Sequence, residues 1–143
     1  MTMRAIILTI LNANQHPSTV IGWEREATII LEVAERYRLE PEQVLMLAIL
    51  RRCENGQPGN EWGVASDDPG HESHRYKSNP ELSVRVQCAW AAGTIRIRFE
   101  KPYDAEKFFK RWNPAGWHEE VKNYRQILEG IQHERHRESS SAQ

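Results

Sequence analysis

The residues with the means to do chemistry gather in mid-chain: Glu54, Glu61, Asp67 and Asp68, followed by His71, Glu72 and His74. Glu54 is the best placed. It ends the apolar stretch Leu45-Met-Leu-Ala-Ile-Leu-Arg-Arg-Cys-Glu54, which runs out into Asn55-Gly56-Gln57-Pro58-Gly59. A carboxyl at the edge of a core can have a raised pKa, hold a proton near neutral pH and hand it to a leaving group. As a solvated helix-end residue Glu54 would instead face the negative end of the helix dipole, a mild penalty that favours a functional reason for it. Glu61 reads equally as a site carboxylate or a loop brace, and Asp67 and Asp68 read first as loop residues. His71 and His74 stand three apart, a spacing that suits a helix face, but the segment reads as loop and offers no third ligand at a defined distance, so no metal site is expected. A glycine-rich phosphate loop and a nucleophile elbow are both absent from the sequence, and no cofactor is called for.

The elements that position these groups are helical. Ala27, Ile30, Leu31, Ala34 and Tyr37 keep the i, i+3, i+4 spacing of one helix, ending near Arg38. Pro41 opens the next, with Glu40 and Glu42 suited to its positive end. From Pro41 to Cys53 this second helix is apolar nearly all round and is expected to be the central buried one. Asn55-Gly56 and Pro58-Gly59 break it, and residues 60 to 79 read as a long polar surface loop, of the kind that often carries function. A third helix starts near Pro80. A short one spans Ala105 to about Arg111, capped by Asp104, and a last one Trp117 to about Ile131, with Val121, Tyr124, Ile127, Leu128 and Ile131 on one face. Ile6 to Leu8 is the one place for a short strand. The expected organisation is a single mostly α domain over residues 1–131, with a central buried helix and a long cleft loop, and a disordered polar tail over 132–143.

Bulk properties narrow the classes. With 143 residues, 39% hydrophobic and 27% charged, the chain has the makings of one soluble core. A net charge of −1, with its cations dispersed, leaves no electrostatic footprint for nucleic acid. Ala5 to Leu11 is too short to span a membrane. As a signal peptide it has only Arg4 for a basic region and no clean cleavage site, so it reads as core. Cys53 and Cys88 are too few for a disulfide framework; two free thiols are the first reading and a single bond between helices the second.

The order of the pieces resembles the lysozyme-like superfamily, especially its lytic transglycosylase and goose-type branch, in a phage-associated or bacterial form. Tyr37-Arg-Leu39-Glu-Pro41 followed by Val44 to Glu54 is similar to the family's approach to its catalytic glutamate. Gly63-Val64-Ala65-Ser66 stands where a Gly-Leu-Met-Gln segment lines the sugar cleft. Leu82 to Ile95 has the small-residue packing of the next family helix, and Trp112-Asn113-Pro-Ala-Gly116 looks like the Ala-Tyr-Asn-x-Gly turn before the last one. Asn55 replaces the usual serine after the glutamate, and Ser66 the usual glutamine. The resemblance implies a lysozyme-like helical domain that cuts the β-1,4 MurNAc–GlcNAc bonds of peptidoglycan, with Glu54 as general acid and then base. Glu61, Asp67 or Asp68 would be the second acid if water is the nucleophile. Trp62, Gly63, Val64, Ser66, Trp112 and Asn113 would line the substrate, the two indoles stacking on sugar faces. Trp112 stands where relatives carry a hydroxyl-bearing aromatic, and its indole N–H donates but cannot accept. The implied partner is the glycan strand, met by a monomer in the periplasm or delivered by a virion. The competing expectation is an inactive lysozyme-like module that binds glycan or serves structurally in a phage tail or cell-wall assembly.

Overall fold

A computed structural model describes residues 1–13, 18–63 and 78–141. They form helices α1 (Met3–Asn12), α2 (Trp23–Arg36), α3 (Pro41–Glu54), α4 (Pro80–Arg98), α5 (Ala105–Trp112) and α6 (Trp117–Ser141), with no strand among the described residues. The fold is mostly α. Of the expected loop over 60–79, residues 64–77, among them Val64, Ser66, Asp67, Asp68, His71 and His74, lie outside the described residues.

The centre is α3. Every residue from Gln43 to Arg51 is buried, as an all-round apolar helix requires. Its start is fixed by Pro41 at the first helical position and by the Glu40 backbone N–H, which donates to Gln43 Oε1 at 2.8 Å. Gln43 also donates from Nε2 to the Phe99 carbonyl at 2.9 Å, joining the head of α3 to the end of α4. At the other end Asn55 takes a left-handed conformation (φ 36°), and its N–H closes on the Arg51 carbonyl at 3.0 Å. A left-handed Asn at this place stops a helix, which leaves Glu54 as its last residue.

Two elements differ from the sequence expectation. The Ile6–Leu8 segment is helical: Thr2 caps α1 by accepting from the Ala5 N–H at 3.1 Å, and Ile6, Ile7, Ile10 and Leu11 are all buried. That is one face of a 3.6-residue period, and α1 packs it against α2 and α3. The second difference is α6, which continues through Ser141 instead of ending near Ile131. The added turns are polar all round and carry two charge pairs: Arg137 with Glu134 at 3.0 Å within the helix, and the N-terminal ammonium with Glu138 at 3.1 Å.

Phe99, Phe108, Phe109 and Tyr124 make an aromatic cluster where α4, α5 and α6 meet, with ring centroids 5.4 to 6.2 Å apart. Phe108 stacks on Trp112 at 5.8 Å, which carries the order of that cluster out to the end of α5. Cys53 and Cys88 are free thiols. Among the described residues, no helix is long and apolar enough to cross a membrane.

Candidate functional site

Glu54, Gly63, Trp112 and Asn113 line one open cavity of about 440 Å³. The expected cleft residues Gly63, Trp112 and Asn113 therefore do come together around the expected acid. Glu54 arrives from the end of α3, Trp112 from the end of α5, and Gly63 from the turn that follows α3.

The Glu54 carboxyl is held on two sides. Trp112 donates from Nε1 to Glu54 Oε1 at 3.1 Å. Gly63 has φ 67°, and a Cβ built there would sit 2.3 Å from Glu54 Oε2 and 2.9 Å from Cδ. Glycine at 63 is thus needed twice, for the left-handed backbone and for the close approach of the carboxylate.

The turn that carries Gly63 is anchored from below by a buried ion pair. Arg51 and Glu26 are both fully buried, and Arg51 donates from Nε to Glu26 Oε1 at 2.6 Å and from Nη2 to Oε2 at 3.1 Å. The same guanidinium donates to the Ser18 carbonyl at 2.6 Å and to the Glu61 carbonyl at 3.4 Å, and lies over the Trp23 ring at 4.9 Å. Its planar fork suits this many acceptors at once. Gly56 completes the turn: its N–H donates to the Glu61 carbonyl at 3.2 Å, and a Cβ there would collide with the Asn60 carbonyl.

Glu61 and Trp62 are used inside this turn. Glu61 is buried, and its Oε1 accepts from the Gly59 N–H at 2.8 Å and from Gln87 Nε2 at 2.9 Å. Of its two sequence readings, these bonds are those of a loop brace. Trp62, a candidate stacking residue, is fully buried, and its backbone N–H donates to Gln87 Oε1 at 3.1 Å. Its ring faces belong to the core, so the described structure gives no sugar contact to Trp62. The pull is hydrophobic: burying a large indole outweighs leaving it at the rim.

Asn113 has an internal role as well. Its Oδ1 accepts from the Gly116 N–H at 3.1 Å, closing the Asn113–Gly116 turn, and its Nδ2 donates to Glu120 Oε1 at 3.2 Å. Glu120 is the residue that sequence reasoning missed. It is buried, and its pKa is pushed up to about 7, first by burial and then, against the Asn113 hydrogen bond, by the charge and hydrogen bonding of the neighbouring Glu54 carboxyl. Its Oε2 is buried without a hydrogen-bond partner among the described residues. The signal for it was present: Glu120, Tyr124, Ile127 and Ile131 fall at helical spacing, which puts a carboxyl on the apolar face of α6.

Comparison with family models, with curated proteins and with solved structures finds no match. The arrangement speaks through its chemistry. A carboxyl at the mouth of a cavity, steered by an indole N–H and backed by a buried second carboxyl, can give a proton to a bound oxygen and take one back. Among the described residues no cluster of histidine, cysteine and carboxylate could hold a metal ion.

Proposed function

We propose that this protein is a peptidoglycan-cleaving glycosidase of the lytic transglycosylase type, with Glu54 as general acid and then general base. The observation that carries the reading is the Trp112 Nε1–Glu54 Oε1 hydrogen bond at the open cavity. It joins the helix-end glutamate to the Trp-Asn turn, the two pieces whose order in the sequence resembles that family. Cleavage needs a proton on the bridging oxygen as the C1–O bond lengthens into an oxocarbenium-like state. Glu54 supplies it. The same carboxylate then removes the proton of the sugar's own 6-hydroxyl as O6 closes on C1, leaving a 1,6-anhydro end. Nothing in this sequence of steps calls for a second carboxylate across the sugar. Glu120 stands beside Glu54 and is buried, which suits a one-carboxyl mechanism better than a pair flanking the bond.

A second reading is a glycan-binding module without turnover. It is favoured by the internal use of Trp62 and of both polar atoms of Asn113, which removes direct sugar contacts. The two are separated by incubating the purified chain with peptidoglycan and analysing released muropeptides, with Glu54→Gln as control. Release by the wild type alone supports the enzyme. Sedimentation with the cell wall but no release supports the binding module and overturns the enzyme.

A further inference from the structure

The geometry points to a second binding site, at the corner between α4 and α5, for a compact phosphate-type oxyanion: a phosphomonoester or a diphosphate group. This site shares no residue with the Glu54 cavity, and it stands or falls apart from the glycosidase reading. Charge is the first sign of it. The chain has a net charge of −1, yet residues 96–111 carry six cations and three acids, so this corner is electropositive and the remainder net negative. Four of those cations, Arg98, Lys101, Lys107 and Arg111, line one cavity of about 270 Å³, with Phe108 in its wall.

Folding gives these four cations no counterion. Among the described residues none of them has an ion pair or a side-chain hydrogen bond. Lys110 is different: its Nζ pairs with Glu106 at 2.9 Å and lies over the Trp117 ring at 4.7 Å. Helix dipoles account for part of the gathering. Arg98 and Arg111 sit in the last turns of α4 and α5, where a cation is favoured. Lys107 is the third residue of α5, at its positive end, where a cation is disfavoured. Lys101 belongs to the turn between the helices and gains nothing from either dipole. Glu100 and Asp104 also line the cavity, and Asp104 is turned to capping α5, its Oδ1 accepting from the Lys107 N–H at 3.1 Å. Counting both acids in full still leaves an excess of two positive charges. Like charges gathered in this way repel one another, and a bound anion relieves them.

The backbone under these side chains is held without a ligand. The Tyr103 N–H donates to the Glu100 carbonyl at 2.8 Å, closing the turn that carries Lys101, and the Tyr103 ring packs on Phe99 at 5.3 Å. Phe108 is buried and ties α5 to the core. Size then decides what fits. At about 270 Å³ the cavity lies below the roughly 300–1,000 Å³ of pockets that take drug-sized ligands, so it suits one small headgroup. Two guanidinium forks match the oxygens of a phosphate, and two ammonium groups add point charge. The excess of two positive charges matches the charge of about −1.5 to −2 on a phosphomonoester. Glu100 and Asp104 interrupt any longer cationic track, which sets the corner apart from a groove that follows a nucleic-acid backbone.

The test is an amide NMR titration of the chain with inorganic pyrophosphate, run against sodium chloride at equal ionic strength. Saturable shifts centred on residues 97–111 are expected, with a Kd of about 1 mM or tighter. Arg98→Gln and Arg111→Gln should each weaken binding by about 5-fold or more, through loss of a charge-assisted fork. Arg96→Gln removes the same charge at an exposed position outside the cavity lining, and should change the Kd by less than about 2-fold. The same spectra show that each variant is folded. A second arm separates the sources of the group. Sedimentation with phosphatidylcholine vesicles containing phosphatidic acid, reversed by pyrophosphate, places it on a lipid. Pyrophosphate binding without sedimentation places it on a soluble molecule, and either result supports the site. The site is overturned by the absence of saturable shifts up to about 10 mM pyrophosphate, by a response that chloride reproduces, or by equal weakening in Arg96→Gln.

Discussion

Gly63→Ala is the sharpest probe of the candidate site, because glycine there is demanded by backbone and by chemistry together. A non-glycine residue in the left-handed region costs roughly 1–2 kcal/mol, and Gly63 has φ 67°. The new Cβ would lie 2.3 Å from Glu54 Oε2, where ordinary contact begins near 3.4 Å, so the carboxylate must retreat by about 1 Å. Moving it off its rotamer costs about 0.5–1.5 kcal/mol. It also stretches the 3.1 Å bond from Trp112 Nε1, worth about 1 kcal/mol at this partly exposed place. Reduced freedom of the unfolded chain returns about 0.4–1 kcal/mol. The net expectation is a loss of about 2–3 kcal/mol in urea denaturation. The second readout is the Trp112 indole N–H resonance, assigned by its disappearance in Trp112→Phe, which should move as its acceptor withdraws. A displacement of this size is also expected to lower muropeptide release by about 100-fold. A Gly63→Ala protein with unchanged stability and an unmoved Trp112 resonance would refute the account of how Glu54 is held.

Three further predictions test the surroundings. Arg51→Met leaves Glu26 buried and unpaired and frees the Ser18 and Glu61 carbonyls; a loss of about 3–5 kcal/mol is expected in urea denaturation, much of it recovered by adding Glu26→Leu, and a loss below about 1 kcal/mol would deny the anchor its role. Glu120, raised to about 7, holds its proton in the fold between the ordinary carboxyl value of 4.5 and about 7, so its contribution is complete at acid pH and falls as pH rises through that window. Glu120→Gln should remove that slope and, with allowance for partial solvation, stand about 1–2 kcal/mol above the wild type at pH 8 relative to pH 4; parallel denaturation slopes in the two proteins would contradict this. Burial pushes the Cys53 thiol to about 12 and the Cys88 thiol upward too, so iodoacetamide at pH 8 should label both only after unfolding, on the order of 100-fold faster than in the native protein.

Much of the fold is legible in the sequence because its helices are strongly periodic. Pro41, Pro80 and the Asp104 cap mark starts, and Asn55-Gly56 marks a stop, each through local chemistry that needs no tertiary partner. The apolar run of α1 is too short to tell helix from strand by pattern alone; what decides it is packing against α2 and α3. The end of α6 has no apolar face, and its helix rests on charge pairs, one of them reaching to the N-terminus. At the site, Glu54 and its Trp112 donor could be singled out because helix ends and turns are visible in one dimension. The pairing of Arg51 with Glu26 and the burial of Glu120 could not, since nothing local marks which charged groups folding will bury. Glu120 also looks like an ordinary first-turn acid, where glutamate favours a helix N-terminus, unless its register with Tyr124 is followed.

The most direct measurement is mass spectrometry of the soluble products after the purified chain is incubated with peptidoglycan, with Glu54→Gln alongside. Muropeptides with 1,6-anhydro ends from the wild type, and none from Glu54→Gln, are the predicted result. No release by the wild type, or equal release by Glu54→Gln, would contradict the account.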